Sequence, residues 1–325
     1  MTKKIGLLGL GHLGKIHLKC LHNTPFTVLG AYDPDDGAFE HAERAGIKLQ
    51  RFQDPLDLVK ASDCVDIVSP TMYHYELAAM ACREGKDVFI EKPVTTTVEE
   101  SESLLEIQKL HNVIVQVGHV ERYNPAYHAL DQMIGNPKFI EGHRLALFNP
   151  RGTDVSVILD LMIHDLDLVL SMVKSEVKNV FANGVSIVSS TPDICNARIE
   201  FDNGCVANLT ASRISLKNMR KLRIFREDAY LSLDFLTKKS QVVTISPILD
   251  DEGLEGMTID TLTGKKAISI KELPVVETNA IEEELNDFYR AVVERSRPKV
   301  NLEDGYKALK LAHLIQSKID QQHDV

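Results

Sequence analysis

The glycine run Gly9-Leu10-Gly11-His12-Leu13-Gly14 directly follows an apolar stretch, Ile5–Leu8, and opens an amphipathic one, Leu13–Leu21. Few arrangements satisfy that order. Glycine at the first position permits a tight turn out of a strand, at the second a close backbone approach to a pyrophosphate, and at the third close helix–strand packing. A helix starting there offers free N–H groups and a positive dipole end to phosphates. A second apolar run, Thr27–Tyr32, ends at Asp33. A carboxylate at that point accepts hydrogen bonds from ribose hydroxyls and repels a 2′-phosphate. Pro34-Asp35-Asp36 after it supplies no cation, which favours NAD over NADP. The reading is a dinucleotide site lined by Gly9, Gly11, His12, Leu13, Gly14 and Asp33. A merely structural glycine turn is the alternative.

At 325 residues the chain is long for one core, and two domains are expected. Strand-like runs Ile5–Leu8, Thr27–Tyr32, Val65–Ser69, Val88–Ile90 and Val113–Val117 alternate with helix-like stretches at Leu13–Leu21, Ala38–Ala45, Tyr75–Glu84 and Val98–Leu110. That rhythm means βαβ units and a parallel sheet buried on both faces. From about Lys138 the runs lengthen and alternate in polarity. Phe201-Asp202-Asn203-Gly204-Cys205 reads as a hairpin in which Asn-Gly supplies positive φ, and Phe181-Ala182-Asn183-Gly184 looks similar. One long helix is expected at about Val155–Val173. Two more close the chain, near Ala280–Arg295, entered through Asn279 and Glu282–Glu284, and near Leu302–Gln321. The predicted fold class is α/β: a Rossmann dinucleotide-binding domain over 1–120, then an α+β domain over 121–325 with a large, mostly antiparallel open sheet. The closing helices, about 280–321, can pack back on the first domain.

Composition removes several classes. The hydrophobic share of 44% and charged share of 26% are those of an ordinary globular protein. A net charge of −10, from 37 basic and 47 acidic side chains, argues against a general nucleic-acid binder but not against a local basic pocket. Cys20, Cys64, Cys82, Cys195 and Cys205 are scattered without a CxxC pair, as expected for reduced thiols in a cytoplasmic protein. Lys3 and Lys4 precede an apolar run too short and too glycine-interrupted for a signal peptide. No stretch is long enough to insert in a membrane, and no metal ligands are assigned. A sheet with one face uncovered by helices predicts a homodimer or homotetramer.

In a doubly wound sheet the ligand lies outside the carboxyl ends of the strands. Thr71 and His74 follow one such end, and Glu91-Lys92-Pro93 forms another, so Thr71, His74, Glu91 and Lys92 are site candidates. Helix capping, a surface imidazole and a solvated lysine are the structural alternatives. The helix near Val155–Val173 is apolar almost all round, yet Asp160, His164, Asp167 and Ser171 recur on one face. A buried polar stripe is costly unless paired or facing a wet cleft. Either this is a satisfied structural pair, or Asp160 holds His164 in the tautomer that works on substrate. Oxidising an alcohol removes its hydroxyl proton as hydride leaves carbon. Histidine, ordinarily near pKa ~6.5, can take that proton at neutral pH; lysine, near ~10.4, seldom can. His164 is therefore read as general base and Lys92 as the cation stabilising the developing oxyanion. Strong burial of Lys92 would exchange these roles.

The glycine run, Glu91-Lys92-Pro93 and Asp160-x-x-x-His164 together resemble the glucose-fructose oxidoreductase / inositol dehydrogenase / MocA family over essentially the whole chain, including Val300–Tyr306. The resemblance implies Lys92, Asp160 and His164 as the catalytic set. Gly118–Pro125, His143-Arg144-Leu145, Asn149–Gly152, Asp160–Asp167 and Asn208–Arg213 look, more narrowly, like bacterial UDP-N-acetylglucosamine 3-dehydrogenases. That likeness implies oxidation of a sugar 3-hydroxyl to a ketone, which a partner aminotransferase aminates for lipid A. It marks His119, Glu121, Arg122, Tyr123, Asn124, Arg144, Arg151 and Arg213 as substrate residues. A diphosphate needs local cations, and Arg122, Arg144, Arg151 and Arg213 are expected to supply them. A dehydrogenase acting on a free sugar or inositol has no such need. A cofactor-sensing regulatory protein would have no need of Lys92, Asp160 and His164.

Overall fold

The computed structural model describes residues 2–44, 49–149, 155–247, 257–261 and 264–323. The chain forms two compact units, Met1–Tyr123 with Thr278–Lys310 and Asn124–Glu277 with Leu311–Val325.

The first unit is built on five parallel strands, β1 (Lys4–Leu8), β2 (Thr27–Tyr32), β3 (Cys64–Ile67), β4 (Asp87–Glu91) and β5 (Val115–Gly118), in the order β2-β1-β3-β4-β5. Helices α1 (His12–Leu21), α2 (Asp36–Arg44), α3 (Pro55–Ala61), α4 (His74–Arg83) and α5 (Val98–His111) connect them. Every residue of β3, β4 and β5 is buried, as a sheet covered on both faces requires. α5 is delimited locally: Thr97 and Glu100 form a capping box, and Asn112 ends the helix at φ +52°. α3 has no counterpart in the sequence reading. It is too short for periodicity to register, and its signals are Asp54, which accepts from Leu56 N–H, and Pro55 in the first turn. The helix Ala280–Glu294 belongs to this unit and inserts Leu285, Phe288, Ala291 and Val292 into the core around Ile5, Leu18 and Phe89. The rings of Phe288 and Phe89 meet edge-on at 5.9 Å.

The second unit carries a nine-stranded sheet. After α6 (Pro125–Leu130) come β6 (Phe139–Leu145), α7 (Ile163–Met172), β7 (Val177–Val185), β8 (Ile194–Phe201), β9 (Val206–Ser212), β10 (Met219–Phe225), β11 (Ala229–Asp234), β12 (Lys239–Pro247), β13 (Met257–Thr261) and β14 (Gly264–Glu272). Their order is β13-β14-β12-β11-β10-β6-β9-β8-β7, antiparallel throughout except for the β6–β9 pair. Polarity alternates with the pleat: Leu222 and Ile224 of β10 are buried, while Arg223 between them faces out to Glu141 at 3.0 Å. α7 packs Leu166 and Val169 on the buried face. Phe181, Val185, Ile245 and Ile270 are among the large apolar side chains left exposed.

Three local expectations change. In the β8–β9 turn only Gly204 adopts positive φ (+81°), while Gly204 N–H donates to Phe201 O and Phe201 N–H to Cys205 O. This is a three-residue turn with a glycine bulge, not a two-residue Asn-Gly turn. Phe181–Gly184 is no turn at all; it lies inside β7, with Asn183 opposite Asn196 and Gly184 opposite Cys195. Glycine is needed there because a Cβ would stand 2.9 Å from Ile319 Cδ1. The helix expected at Val155–Val173 opens with a π-helical turn, Ile158–Met162, before α7. Such wide turns concentrate at functional sites. All five cysteines are buried free thiols.

Candidate active site

At the end of β1, Gly9 takes φ +106°, and a Cβ there would come 2.7 Å from the Ser69 backbone N. Gly14 faces Gly9 O and Val68 so closely that any side chain would push α1 off the sheet. Gly11 differs: a Cβ on it would meet nothing within 4 Å, and as the residue preceding α1 it supplies no side-chain cap. Gly11 and His12 are exposed and Leu13 is half-buried. The open space in front of an uncapped helix N-terminus fits a pyrophosphate. Asp33 ends β2 and is oriented by two backbone donors, Leu10 N–H at 2.6 Å and Asp35 N–H at 2.8 Å, one to each oxygen. Each oxygen has a second lone pair for a ribose hydroxyl. These residues fit an NAD molecule, which when bound accepts the hydride.

The next two strand ends differ from expectation. Thr71 is half-buried in a short 3-10 turn, Thr71–Tyr73. His74 is buried, its ring nitrogens 2.9 Å from Pro93 O and 2.9 Å from Ser69 O. Its polar atoms are thus used in tying two strand ends together, and burial lowers its pKa. Glu91 also points inward. One carboxylate oxygen lies 3.2 Å from His17 Nε2, and the other accepts Lys92 N–H at 3.1 Å. Glu91 therefore supports the turn that carries Lys92. Lys92 is half-buried and joined to Pro93 by a cis peptide.

In the second unit, Asp160 lies in the π-helical turn and His164 in the first turn of α7; both are half-buried. Asp167 is fully enclosed, and Ser171 donates to Leu168 O at 2.7 Å. Of the polar stripe, only Asp167 is enclosed; Asp160, His164 and Ser171 are half-buried. Asp193 braces the helix entrance: Pro192 O accepts Val157 N–H, and the Asp193 carboxylate accepts the backbone N–H groups of Ile187, Val188 and Ser189. Burial opposes its charge, but those donors hold its pKa down to about 2.

Three of the four arginines expected to meet a diphosphate are buried and make contacts within the protein. Arg144 is buried and bonds both oxygens of Asp165, because β6 runs beneath α7. Arg122 is buried with Asp304 at 3.9 Å, and Arg213 is buried with its guanidinium on Val155 O. Arg151 lies outside the described residues. Tyr123 donates to Asp287 at 2.8 Å, and Asn124 caps α6 through Ala126 N–H while donating to Phe235 O. These polar atoms make contacts within the protein. His119 and Glu121 are buried beside them in sequence. Among the described residues one buried group has metal-ligand spacing, His17, Glu91 and Glu284. Sequence reasoning missed it, although a histidine on an apolar helix face and Asp66 within the apolar run Cys64–Val68 were available signals.

Fold and cofactor site define an NAD-binding oxidoreductase. Residues 3–119 match the oxidoreductase family with an NAD-binding Rossmann fold, and residues 131–232 match the GFO/IDH/MocA C-terminal domain. The chain belongs to the GFO/IDH/MocA oxidoreductase family. UDP-N-acetylglucosamine 3-dehydrogenase of Acidithiobacillus ferrooxidans is 33% identical over 295 residues, covering 89% of this chain and 88% of the relative. A solved structure of that enzyme superposes with a TM-score of 0.88 at 30% identity, covering 99% of this chain and 98% of the other. The NAD-dependent scyllo-inositol 2-dehydrogenase of Bacillus subtilis is 31% identical over 65% of this chain and 68% of its own. The Lactobacillus casei scyllo-inositol dehydrogenase solved with NAD(H) and scyllo-inositol shares the fold, with a TM-score of 0.78 at 22% identity, over 99% of this chain and 98% of that one.

Proposed function

We propose that this dehydrogenase oxidises the 3-hydroxyl of UDP-N-acetylglucosamine to a ketone, with NAD as hydride acceptor. The observation that carries the reading is the likeness to the Acidithiobacillus ferrooxidans enzyme across nearly the full length of both chains. His164 takes the hydroxyl proton as general base, and Asp160, four residues earlier, orients its ring. Lys92 donates a hydrogen bond to the same oxygen and stabilises the charge developing on it. Asp33 holds the cofactor ribose and the α1 N-terminus its pyrophosphate. The 3-keto product is a substrate for an aminotransferase, towards a 3-amino sugar for lipid A. The apolar side chains exposed on the sheet support a homodimer or homotetramer.

A second reading, oxidation of inositol or a free sugar, is favoured by one observation. Arg122, Arg144 and Arg213 are buried and make contacts within the protein, an arrangement that a substrate without a diphosphate also suits. NADH formation at 340 nm separates the two. The panel is UDP-N-acetylglucosamine, its uronic acid, free N-acetylglucosamine and scyllo-inositol, each with and without a carbonyl trap. Turnover confined to a UDP-sugar is the expected result; turnover on the free polyols alone would move the assignment to the second reading.

A further inference from the structure

Four ionisable side chains meet inside the first unit next to the Lys92 turn. His17 of α1 stands between two carboxylates, with Nδ1 3.0 Å from Asp66 of β3 and Nε2 3.2 Å from Glu91 at the end of β4. All three are buried. Glu284, from the helix Ala280–Glu294, is fully buried beside them, and one ligand atom each from His17, Glu91 and Glu284 lie within 4.8 Å of one another. Ionised carboxylates only accept hydrogen bonds, so two of them on one imidazole require a proton on each of the two contacts. Burial disfavours that charge, but Asp66 and Glu91 outweigh it and raise the His17 pKa well above 6.5. Glu284 is pushed well above the usual carboxylate range, first by burial and then by the Glu91 charge. A divalent metal would need the Nε2 lone pair of His17. A proton on that atom, 3.2 Å from Glu91, would occupy the lone pair.

Glu91 passes this arrangement on. Its Oε2 accepts the main-chain N–H of Lys92, its Oε1 faces His17, and the carboxylate fills the space beside Gly118 of β5, where a Cβ would come 2.7 Å from Oε1. With His17 at one oxygen and the Lys92 N–H at the other, the carboxylate is engaged at both oxygens, and the Lys92 backbone is tied to it.

We propose that His17 is a positioning residue for Lys92, fixing Glu91 so that Glu91 fixes the turn from which the lysine side chain projects. This rests on the reading of Lys92 as a substrate-contacting residue. The test uses the full chain as His17→Gln, as Lys92→Ala and as the double variant. Two measurements are made: turnover at saturating NAD and UDP-N-acetylglucosamine, and residue-resolved amide hydrogen exchange without ligands. His17→Gln should lower kcat by about tenfold to a hundredfold with NAD affinity kept, and lower it no further once Lys92 is alanine. The Lys92 amide should exchange about tenfold faster or more, with the amides of α1 unchanged. Equal loss from His17→Gln in both backgrounds, faster exchange along α1 with none at Lys92, or a stoichiometric divalent metal in the purified protein would each overturn the proposal. Lys92→Ala with undiminished turnover would instead overturn the role given to Lys92. Asp66→Asn keeps the volume of the site while weakening the hold on His17. It should reproduce the Lys92 amide effect, and serves where His17→Gln does not fold.

Discussion

Arg144 of β6 bonds both carboxylate oxygens of Asp165, from Nε at 3.1 and 3.2 Å and from Nη2 at 2.8 Å, with both side chains buried. Asp165 follows His164 directly in α7, so this pair fixes the helix that carries the candidate base to β6, an inner strand of the sheet. A two-point contact between ions is directional as well as strong. Removing one partner leaves the other charged and desolvated. Asp165→Ala is expected to destabilise the protein by about 3–5 kcal/mol, whereas the double replacement Arg144→Met with Asp165→Leu costs much less. Urea unfolding of both variants measures the difference; equal losses would mean that the pair does not anchor α7.

His164→Ala is expected to lower kcat by about a hundredfold or more while NAD affinity, measured by titration calorimetry, stays within twofold. The side chain is half-buried in the first turn of α7, in the second unit, whereas the glycine turn and Asp33 lie in the first. Joint loss of NAD binding and folding would assign it a structural role instead.

Asp33→Ala should relax the preference for NAD over NADP and also weaken NAD binding itself. The second effect follows from the structure, because the carboxylate holds Leu10 N–H of the glycine turn at 2.6 Å. Asp33→Asn keeps an acceptor for that donor and should separate the two effects, relaxing the preference at a smaller cost in affinity. Initial rates with each cofactor supply both constants. An unchanged ratio in both variants would remove Asp33 from the ribose site.

Glu284 makes stability depend on pH. Its folded pKa lies above 4.5, so the folded state holds a proton that the unfolded chain gives up. The contribution is fully present below pH 4.5 and is lost as pH rises towards the folded value. His17, raised above 6.5, acts in the same direction over a higher window. Glu284→Gln replaces the neutral acid with a neutral amide. Between pH 5 and pH 8 its unfolding free energy should fall less than that of the parent chain, as urea titrations at both pH values measure. Identical slopes would show that Glu284 is ionised in the folded protein.

The legible parts of this molecule are the local ones. Gly9, Gly14 and Asp33 stand out because strand end, turn and helix start are adjacent in sequence, and the structure uses each within a few residues of where it occurs. The Arg144–Asp165 pair is not legible locally, because the two partners lie on different elements. Tyr123 and Asp287 are separated by 164 positions, and no local pattern announces their bond. The Asn-Gly pair at Asn183-Gly184 carries a genuine turn signal that pairing with β8 overrides. The π-helical turn at Ile158–Met162 is hidden because its flanks are apolar on all sides, which leaves the helical period without a phase. Glu91 looks like a crevice residue by position, yet its side chain faces His17 within the first unit.

UDP-N-acetylglucosamine carrying deuterium at C3, incubated with the protein and NAD, tests most directly where the hydride comes from. Mass spectrometry of both products should find the deuterium in the reduced nicotinamide and a 3-keto sugar without it. NADH formed without deuterium, the label remaining in the sugar, would place the oxidation at another carbon. No reduction of NAD by this sugar, alongside oxidation of scyllo-inositol, would contradict the nucleotide-sugar assignment itself.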